Sequence, residues 1–482
     1  ITSFRIPGLQ SGASDGDVLT YNSSTGNITL AAASGGGGGG SPFSTDIVVN
    51  TLTIGRGGGN VSTNTAVGDD ALNSNTTGGH LVALGQGALA SNTTASSNVA
   101  LGRKSLNSNT TGQFNSASGT YALRLNTTGS ENTAHGWQAL YNNTTASYNT
   151  AAGYQALLDN TTGITNSAFG ITSLFKNTTG YDNVAVGGSA VRENTTGYKN
   201  TGIGRDACRN ATTAHRNTGI GHSALYTNTT GSYNTATGVG ALYYNTTGNQ
   251  NSAYGYDTLL ANTTGELNVA MGAKALSLNT TGTLNSALGY QALFNNTTAS
   301  QNTAVGYQAL YTNTSAAQNT AVGYLALYSN TAIRNTAVGW EALKNNSSGT
   351  GLIAFGAYAG TANTTGGSNS FIGYDSGPVN TSGSHNTSLG AASLHANTTG
   401  GSNTAIGRGA LYWNTTGQSN TAIGRDALSS NTTANQNTAV GYQALLTNTT
   451  GYNNVAVGLH SLYGNTTGTF CVAIGVNAAK SS

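Results

Sequence analysis

The sequence predicts an all-β fold: a β-solenoid, of the β-roll or β-helix kind, in which each coil is one copy of a seventeen-residue repeat and contributes to a single strand ladder. Three observations carry this. The glycine of an N-T-A-V-G segment stands at Gly68, Gly85, Gly102, Gly119, Gly136 and Gly153 and onward in steps of seventeen to Gly323; one step is sixteen, to Gly339, and steps of seventeen resume through Gly356 and Gly373 to Gly475. Seventeen residues are too few for the paired helices of tetratricopeptide or ankyrin units, which need about thirty or more. Each copy also carries two glycines and two asparagines that interrupt any helical apolar spacing, leaving short runs rich in β-branched and aromatic residues.

We number the unit 1 to 17 from its first asparagine, N-T-A-V-G-x-x-A-L-x-x-N-T-T-G-x-x, as in Asn437–Asn453. The runs T-A-V and x-A-L-x are expected to be strands. Glycines at positions 5 and 15 are expected to supply corners with φ > 0. Asparagines at positions 1 and 12 are expected to stack their amides from coil to coil as hydrogen-bonded ladders. At the usual strand spacing of about 4.8 Å, some twenty-five coils would extend on the order of 120 Å. Position 3 is nearly always Ala and position 9 nearly always Leu, with Val191 and Cys208 among the exceptions as small apolar residues, so positions 3, 8 and 9 belong inside the coil. Position 4 is apolar but variable, running from Val67 and Leu84 to Phe169, Ile203 and Met271, and suits a less demanding contact.

The elements follow in order. Residues 1–34 form a leader with two short strands, Asp17–Tyr21 and Asn27–Ala31, about a turn-rich N-S-S-T-G. Residues 35–43, with six consecutive glycines, read as a linker; no G-K-[ST] follows, so they are not a phosphate cradle. Residues 44–63 hold one strand, 46–54, and an entry segment, the strand capping the open end of the ladder. Residues 64–482 are the repeat. The deletion between Asn330 and Asn335 is expected to be absorbed in its corner, with Ala321 still stacked on Ala337.

Four apolar positions in seventeen make a thin core for the ordering they must offset. Several chains are therefore expected to share a core, with position 4 facing a common axis; a parallel trimer is favoured over a dimer. The chain is 7% charged with net charge +2, too weak a field to argue for nucleic acid. No apolar run approaches the eighteen or so residues of a membrane span, and the opening ITSFRIPGLQ lacks a signal-peptide core.

The repeat N-T-A-V-G-Y-Q-A-L-Y-x-N-T-T-G, the entry segment TLTIGRGGGNVSTNTAVG and the leader SGASDGDVLTYNSSTGN together resemble tail-fibre and other structural proteins of phages of marine bacteria and cyanobacteria. The N-T-A-V-G segment is also similar to the N-S-V-A-I-G signature of the trimeric autotransporter adhesin head, whose repeat is shorter. Both resemblances imply a homotrimeric fibre at a surface. The first implies a virion tail component, extracellular, joined to other tail proteins at its N-terminal end and attaching to the host. Fibres of this kind often lose a self-cleaving C-terminal chaperone, for which AAKSS would suit as the stump; the alternative is that the remainder is disordered or lies elsewhere. A bacterial surface adhesin and an ice-binding solenoid are the alternatives of other classes. The second is weakened because threonines 13 and 14 are adjacent and would point to opposite sides.

The period also limits the chemistry. Residues in one register are separated by about 4.8 Å per coil, so catalytic partners must share a coil or neighbour it. Asp70, Asp206, Asp257, Asp375 and Asp426 share position 7 but lie at least three coils apart, and Arg205–Asp206 and Arg425–Asp426 read as surface ion pairs. No enzymatic activity, cofactor or metal is expected. His135, the one histidine at position 4, would meet its copies on a three-fold axis but reads first as a packed or water-bonded residue. Cys208 and Cys471 are too far apart in register for a disulfide. The N-T-T sequons at position 12 are better explained by the asparagine ladder than by glycosylation. Positions 6 and 10 carry the candidate receptor-facing aromatics, Tyr290, Tyr307, Tyr324 and Trp340 in one file and Tyr311 and Tyr328 in the other. Rings with polar tips suit stacking on host polysaccharide; the competing reading is that they stack on one another and stiffen the fibre.

Overall fold

The computed structural model describes residues 18–22, 27–31, 47–49 and 52–481. The chain divides into two units, Ile1–Thr165 and Asn166–Ser482. Among the described residues regular structure is strand throughout, apart from one 3-10 turn at Gly58–Asn60.

In the first unit, strands β1 (Val18–Asn22) and β2 (Asn27–Ala31) form an antiparallel pair with Val18 opposite Ala31 and Asn22 opposite Asn27. The leader hairpin is thus as expected, its first strand one residue further along. The glycine linker lies outside the described residues. The expected single capping strand is two: β3 (Ile47–Val49) and β4 (Leu52–Gly55), antiparallel, with Val49 opposite Leu52. Only two residues separate them, the length at which antiparallel strands turn most tightly. Strand β4 then runs antiparallel to the first coil's strand, Ile54 opposite Val67 and Gly55 opposite Ala66. The glycines that follow cover the rest of that coil: a Cβ on Gly57 would lie 2.7 Å from Leu72 Cβ, and one on Gly59 2.3 Å from the Thr76 carbonyl oxygen. Six parallel strands from Thr65–Val67 to Thr150–Ala152 stack in register, Ala66 on Ala83 on Ala100.

The second unit repeats the arrangement nineteen times, from Ser167–Phe169 to Val472–Ile474. In each coil the strand is three residues long. Position 3 points inward and is fully buried, as at Ala304 and Ala321, while positions 2 and 4 point outward. The coil with sixteen residues keeps register, Ala321 opposite Ala337 and Val322 opposite Val338.

The second run, x-A-L-x, is not a strand. Coil 285–301 shows why: Ala292 N–H donates to Gly289 O (3.3 Å), Phe294 N–H to Gln291 O (3.3 Å) and Asn296 N–H to Leu293 O (3.1 Å), three overlapping turns. These turns need left-handed residues, and the chain supplies them mostly without glycine: φ is 53° at Gln291, 52° at Leu293 and 62° at Gln301, positions 7, 9 and 17, and non-glycine residues hold these positions in most other coils. Position 5 is glycine in the left-handed range as expected, and a Cβ on Gly306 would lie 2.4 Å from the Gly323 carbonyl oxygen. Position 15 has no positive φ. Its glycine answers to space, since a Cβ on Gly112 would lie 2.2 Å from the Gly129 carbonyl oxygen, and Ala95, Ala146 and Ala299 occupy the position elsewhere.

Both asparagine ladders form. At position 12 one amide group bonds in two directions: Asn92 Nδ2 donates to Asn75 Oδ1 in the preceding coil (2.9 Å) and to Ala95 O in its own (3.1 Å). At position 1, Asn98 Nδ2 donates to Gly112 O (2.8 Å) and Asn98 Oδ1 accepts from Asn115 N–H (2.8 Å). Asn92, Asn98 and Asn109 are fully buried. A polar interior of this kind is tolerated only because its donors and acceptors are paired. Two rungs of the position-12 ladder are missing, and each leaves a buried acceptor without a partner. Ala211 stands where position 12 should be asparagine, and Asn194 Oδ1 is unpaired; at the deletion, Asn330 turns its amide to Ala332 O (2.7 Å), and Asn313 Oδ1 is unpaired.

Candidate functional site

The position-6 aromatics of coils 285–351 stack face to face. Ring centroids are 5.4 Å apart for Tyr290–Tyr307 and Tyr307–Tyr324, and 4.1 Å for Tyr324–Trp340, with interplanar angles of 16°, 16° and 19°. They form because position 6 follows the corner glycine, where the backbone turns outward; Tyr290 is 46% and Trp340 49% exposed. The position-10 file stacks likewise, Tyr311 on Tyr328 at 5.2 Å, and is half-buried rather than fully in solvent. Phe294 lies 5.5 Å from Tyr311 and extends this file by one ring. Sequence reasoning passed over it because it lacks a hydroxyl, yet its register, seventeen before Tyr311, was the signal. Glutamines of position 7 link the same coils, Gln308 Nε2 donating to Gln291 Oε1 (2.7 Å).

Because the rings cover one another's faces, the files offer solvent their edges, their hydroxyls and the two outermost faces. A stacked pair gains about 0.5–1.5 kcal/mol beyond its buried area, so the files stiffen the stack whatever else they do.

A third file, at position 16, was not singled out: Tyr181 and Tyr198 stack at 4.9 Å, and Tyr198 and His215 at 4.8 Å. Other histidines are distributed, His395 against Tyr412 at 4.6 Å with its Nε2 3.4 Å from Asp375 Oδ2, and His135 exposed on the sheet. Among the described residues no three His, Cys, Asp or Glu side chains gather as metal ligands. The expected ion pairs form, Arg205 Nε to Asp206 and Arg425 Nε to Asp426 at 3.3 Å each. Cys208 is buried and Cys471 half-buried, both free, and burial pushes the Cys208 thiol up to about 12.

The position-12 sequon asparagines present no free amide. Asn279 and Asn296, fully buried, each spend Nδ2 on two hydrogen bonds. Threonine 13 is also occupied, Thr280 Oγ1 donating to Thr297 O (3.0 Å), whereas threonine 14 faces solvent, as at Thr281 and Thr298. One exposed threonine per coil is a single file.

The sheet itself presents a different surface. Positions 2 and 4 point outward, and neither carries Asp, Glu, Lys or Arg in any coil. Leu288 is 46% exposed, and Phe169, Ile203, Met271, Phe355 and Leu389 are similarly open.

No protein-family model, curated protein or solved structure matches the chain.

Proposed function

We propose that the chain is a structural segment of a viral tail fibre, carried outside the virion. In this reading three parallel copies associate through the sheet face of positions 2 and 4, and the aromatic files meet host-surface polysaccharide. The observation that carries it is the direction of the bonding. Within each unit, backbone, asparagine and threonine bonds link every coil to its neighbours, for instance Leu293 N–H to Ala309 O and Gly289 N–H to Met271 O, and the remaining asparagine bonds close the coil on itself, so the interior is consumed in holding one axis and the outer surface is left for contact. The uncharged, half-exposed file at position 4 supports association, since contiguous apolar patches of this kind mark interfaces.

Two measurements test the reading. Antibody raised against this chain should label the tail appendages of virus particles in electron micrographs; label confined to bacterial cell surfaces would favour an adhesin instead. Light scattering should return the mass of a trimer, and Leu288→Lys with Val305→Lys should lower it while leaving the β signal in circular dichroism unchanged. A monomeric mass for the unaltered chain would overturn the association.

A further inference from the structure

We propose that a notch over Gly188 binds a sugar residue bearing a carboxylate. The cleft has a volume of about 490 Å³ and is lined by Ile171, Gly188, Ser189, Asp206, Arg209 and Tyr226, with Arg205 at its rim. That size falls within the range of about 300–1,000 Å³ found for small-ligand sites. It sits in the second unit, where positions 6, 7 and 10 of consecutive coils share one face.

Gly188 opens the notch, and the backbone does not need it there. It has no positive φ, and a Cβ built on it would meet nothing within 4 Å. It is also the one glycine at position 6, a position that elsewhere always carries a side chain, from Ala273 and Ala391 to Tyr290 and Trp340. The missing side chain therefore creates space between Ile171 and Arg205 at no structural gain.

The charge around that space is organised. Asp206 lies between two guanidinium groups, with Arg205 Nε 3.3 Å from Oδ2 and Arg209 Nε 3.3 Å from Oδ1. The second contact is Coulombic only, because Arg209 Nε donates no directed hydrogen bond. Arg209 is fixed from the other side, its Nη1 donating to the Tyr226 hydroxyl (2.6 Å) and its guanidinium 5.6 Å from that ring, while Tyr226 stacks on Tyr243 at 4.9 Å. Next to it, Glu193 is satisfied by Lys176 (2.6 Å) and by Arg192. The Arg205 side chain is 77% exposed. Two arginines against one aspartate leave the lining with one net positive charge.

That balance selects the ligand. A guanidinium offers a planar fork that pairs with a carboxylate. The Asp206 charge on the floor opposes a second negative charge, so a monoanion fits better than phosphate. Asp206 retains acceptor capacity for sugar hydroxyls, Ser189 can donate and accept, and Ile171 with Tyr226 offers apolar wall to a pyranose C–H face. The inference shares with the tail-fibre reading only the premise that the outer surface meets saccharide, and it concerns a different site.

Titration of the full chain with methyl glucuronide, followed by ligand-observed NMR, tests it. Methyl glucuronide should bind at least about tenfold more tightly than methyl glucoside, inorganic phosphate or N-acetylaspartate amide, and Arg205→Gln should weaken it about tenfold. Gly188→Tyr should abolish binding with the thermal midpoint unchanged, since tyrosine already occupies position 6 at Tyr290 and Tyr307. Equal binding of glucoside and glucuronide, tighter binding of phosphate or the aspartate derivative, or undiminished binding by Gly188→Tyr would each overturn the proposal. Tyr307→Ala with Tyr324→Ala should leave this titration unaltered; loss of cell binding in that variant alone would bear on the aromatic files and not on the notch.

Discussion

Coils 302–334 and coils 352–402 fill the same interior with different residues. In the first stretch Ala304 and Ala321 at position 3 pack beside Leu310 and Leu327 at position 9, all fully buried. In the second, position 3 holds Phe371, and the two leucines that would meet it are glycines: a Cβ on Gly360 would lie 2.6 Å from Phe371 Cδ2, and one on Gly377 2.4 Å from Cε1. A third solution appears at Gly202 and Gly219, where position 3 shrinks because Val191 Cγ2 and Cys208 Sγ each come within 2.6 Å of where its Cβ would be. Phe371 with Gly360 and Gly377 keeps the summed volume of positions 3 and 9, whereas Gly202 and Gly219 yield to the shape of the shorter Val191 and Cys208 side chains, so it is the fit between neighbouring coils that specifies the interior, as close packing requires. Buried serines accompany the Phe371 variant, Ser376 Oγ donating to Ser388 Oγ at 2.8 Å, so the polar additions there are paired too.

If fit between coils is the rule, the largest effect should come from emptying the aromatic site. Phe371→Ala should cost about 3–5 kcal/mol, read as lost hydrogen-exchange protection in coils 352–402, and adding Gly360→Leu with Gly377→Leu should recover most of it. Failure of the rescue would mean that the region needs phenylalanine itself. A smaller cost, about 1–3 kcal/mol from overpacking, is expected for Gly219→Ala, relieved by Cys208→Ala. In the unaltered chain a maleimide should label Cys471 and spare Cys208, whose thiol is buried and hardly ionised. Ala211→Asn asks whether the ladder or the packing dominates at that coil: by giving Asn194 Oδ1 a donor it should raise the thermal midpoint, by up to about 1–3 kcal/mol of stability, and a lowered midpoint would assign the site to packing.

The smallest effect is acidic. Burial pushes the Glu193 carboxyl up, but the hydrogen bond from Lys176 and the charges of Arg192, Lys176 and Arg209 outweigh it, leaving the group below its ordinary value of 4.5. A depressed carboxylate stabilises the fold above its unfolded value, and that contribution is lost as pH falls through the folded one. Stability near Glu193 should therefore decline below about pH 4.5, and Glu193→Gln should flatten that limb of the profile.

The period made positions 3, 8 and 9 legible as interior and positions 1 and 12 as ladders, because a residue type that recurs in most coils faces the same environment in each. The turns at positions 7 to 10 were not legible. Leu293 and Gln291 hold a left-handed φ that local preference assigns to glycine or asparagine, and only the bonds from neighbouring coils make it worthwhile. At position 15 the signal was present, since Ala95 and Ala146 already argued against an obligatory left-handed corner. The aromatic register was readable and its stacking was one of two readings, but ring orientation depends on spacing between coils that no single repeat contains. The notch at Gly188 was missed because a glycine in a glycine-rich chain draws no notice until its φ is known.

The deletion at Asn330–Asn335 shows what nearest-neighbour bonding permits. Ala321 and Ala337 remain paired across it, and Asn313 Oδ1 is the acceptor left unpaired there. A stack that survives a missing residue at that cost should survive a missing coil, so its length behaves as a count, adjustable by recombination in increments of about 4.8 Å. The increments are not all interchangeable. Excising the seventeen residues that contain Gly360 would strand Phe371 against Leu343, and excising those that contain Gly219 would leave Cys208 facing alanine. Such coupled coils act as fixed marks on an otherwise adjustable scale, and recombination should be tolerated between them far more readily than within them.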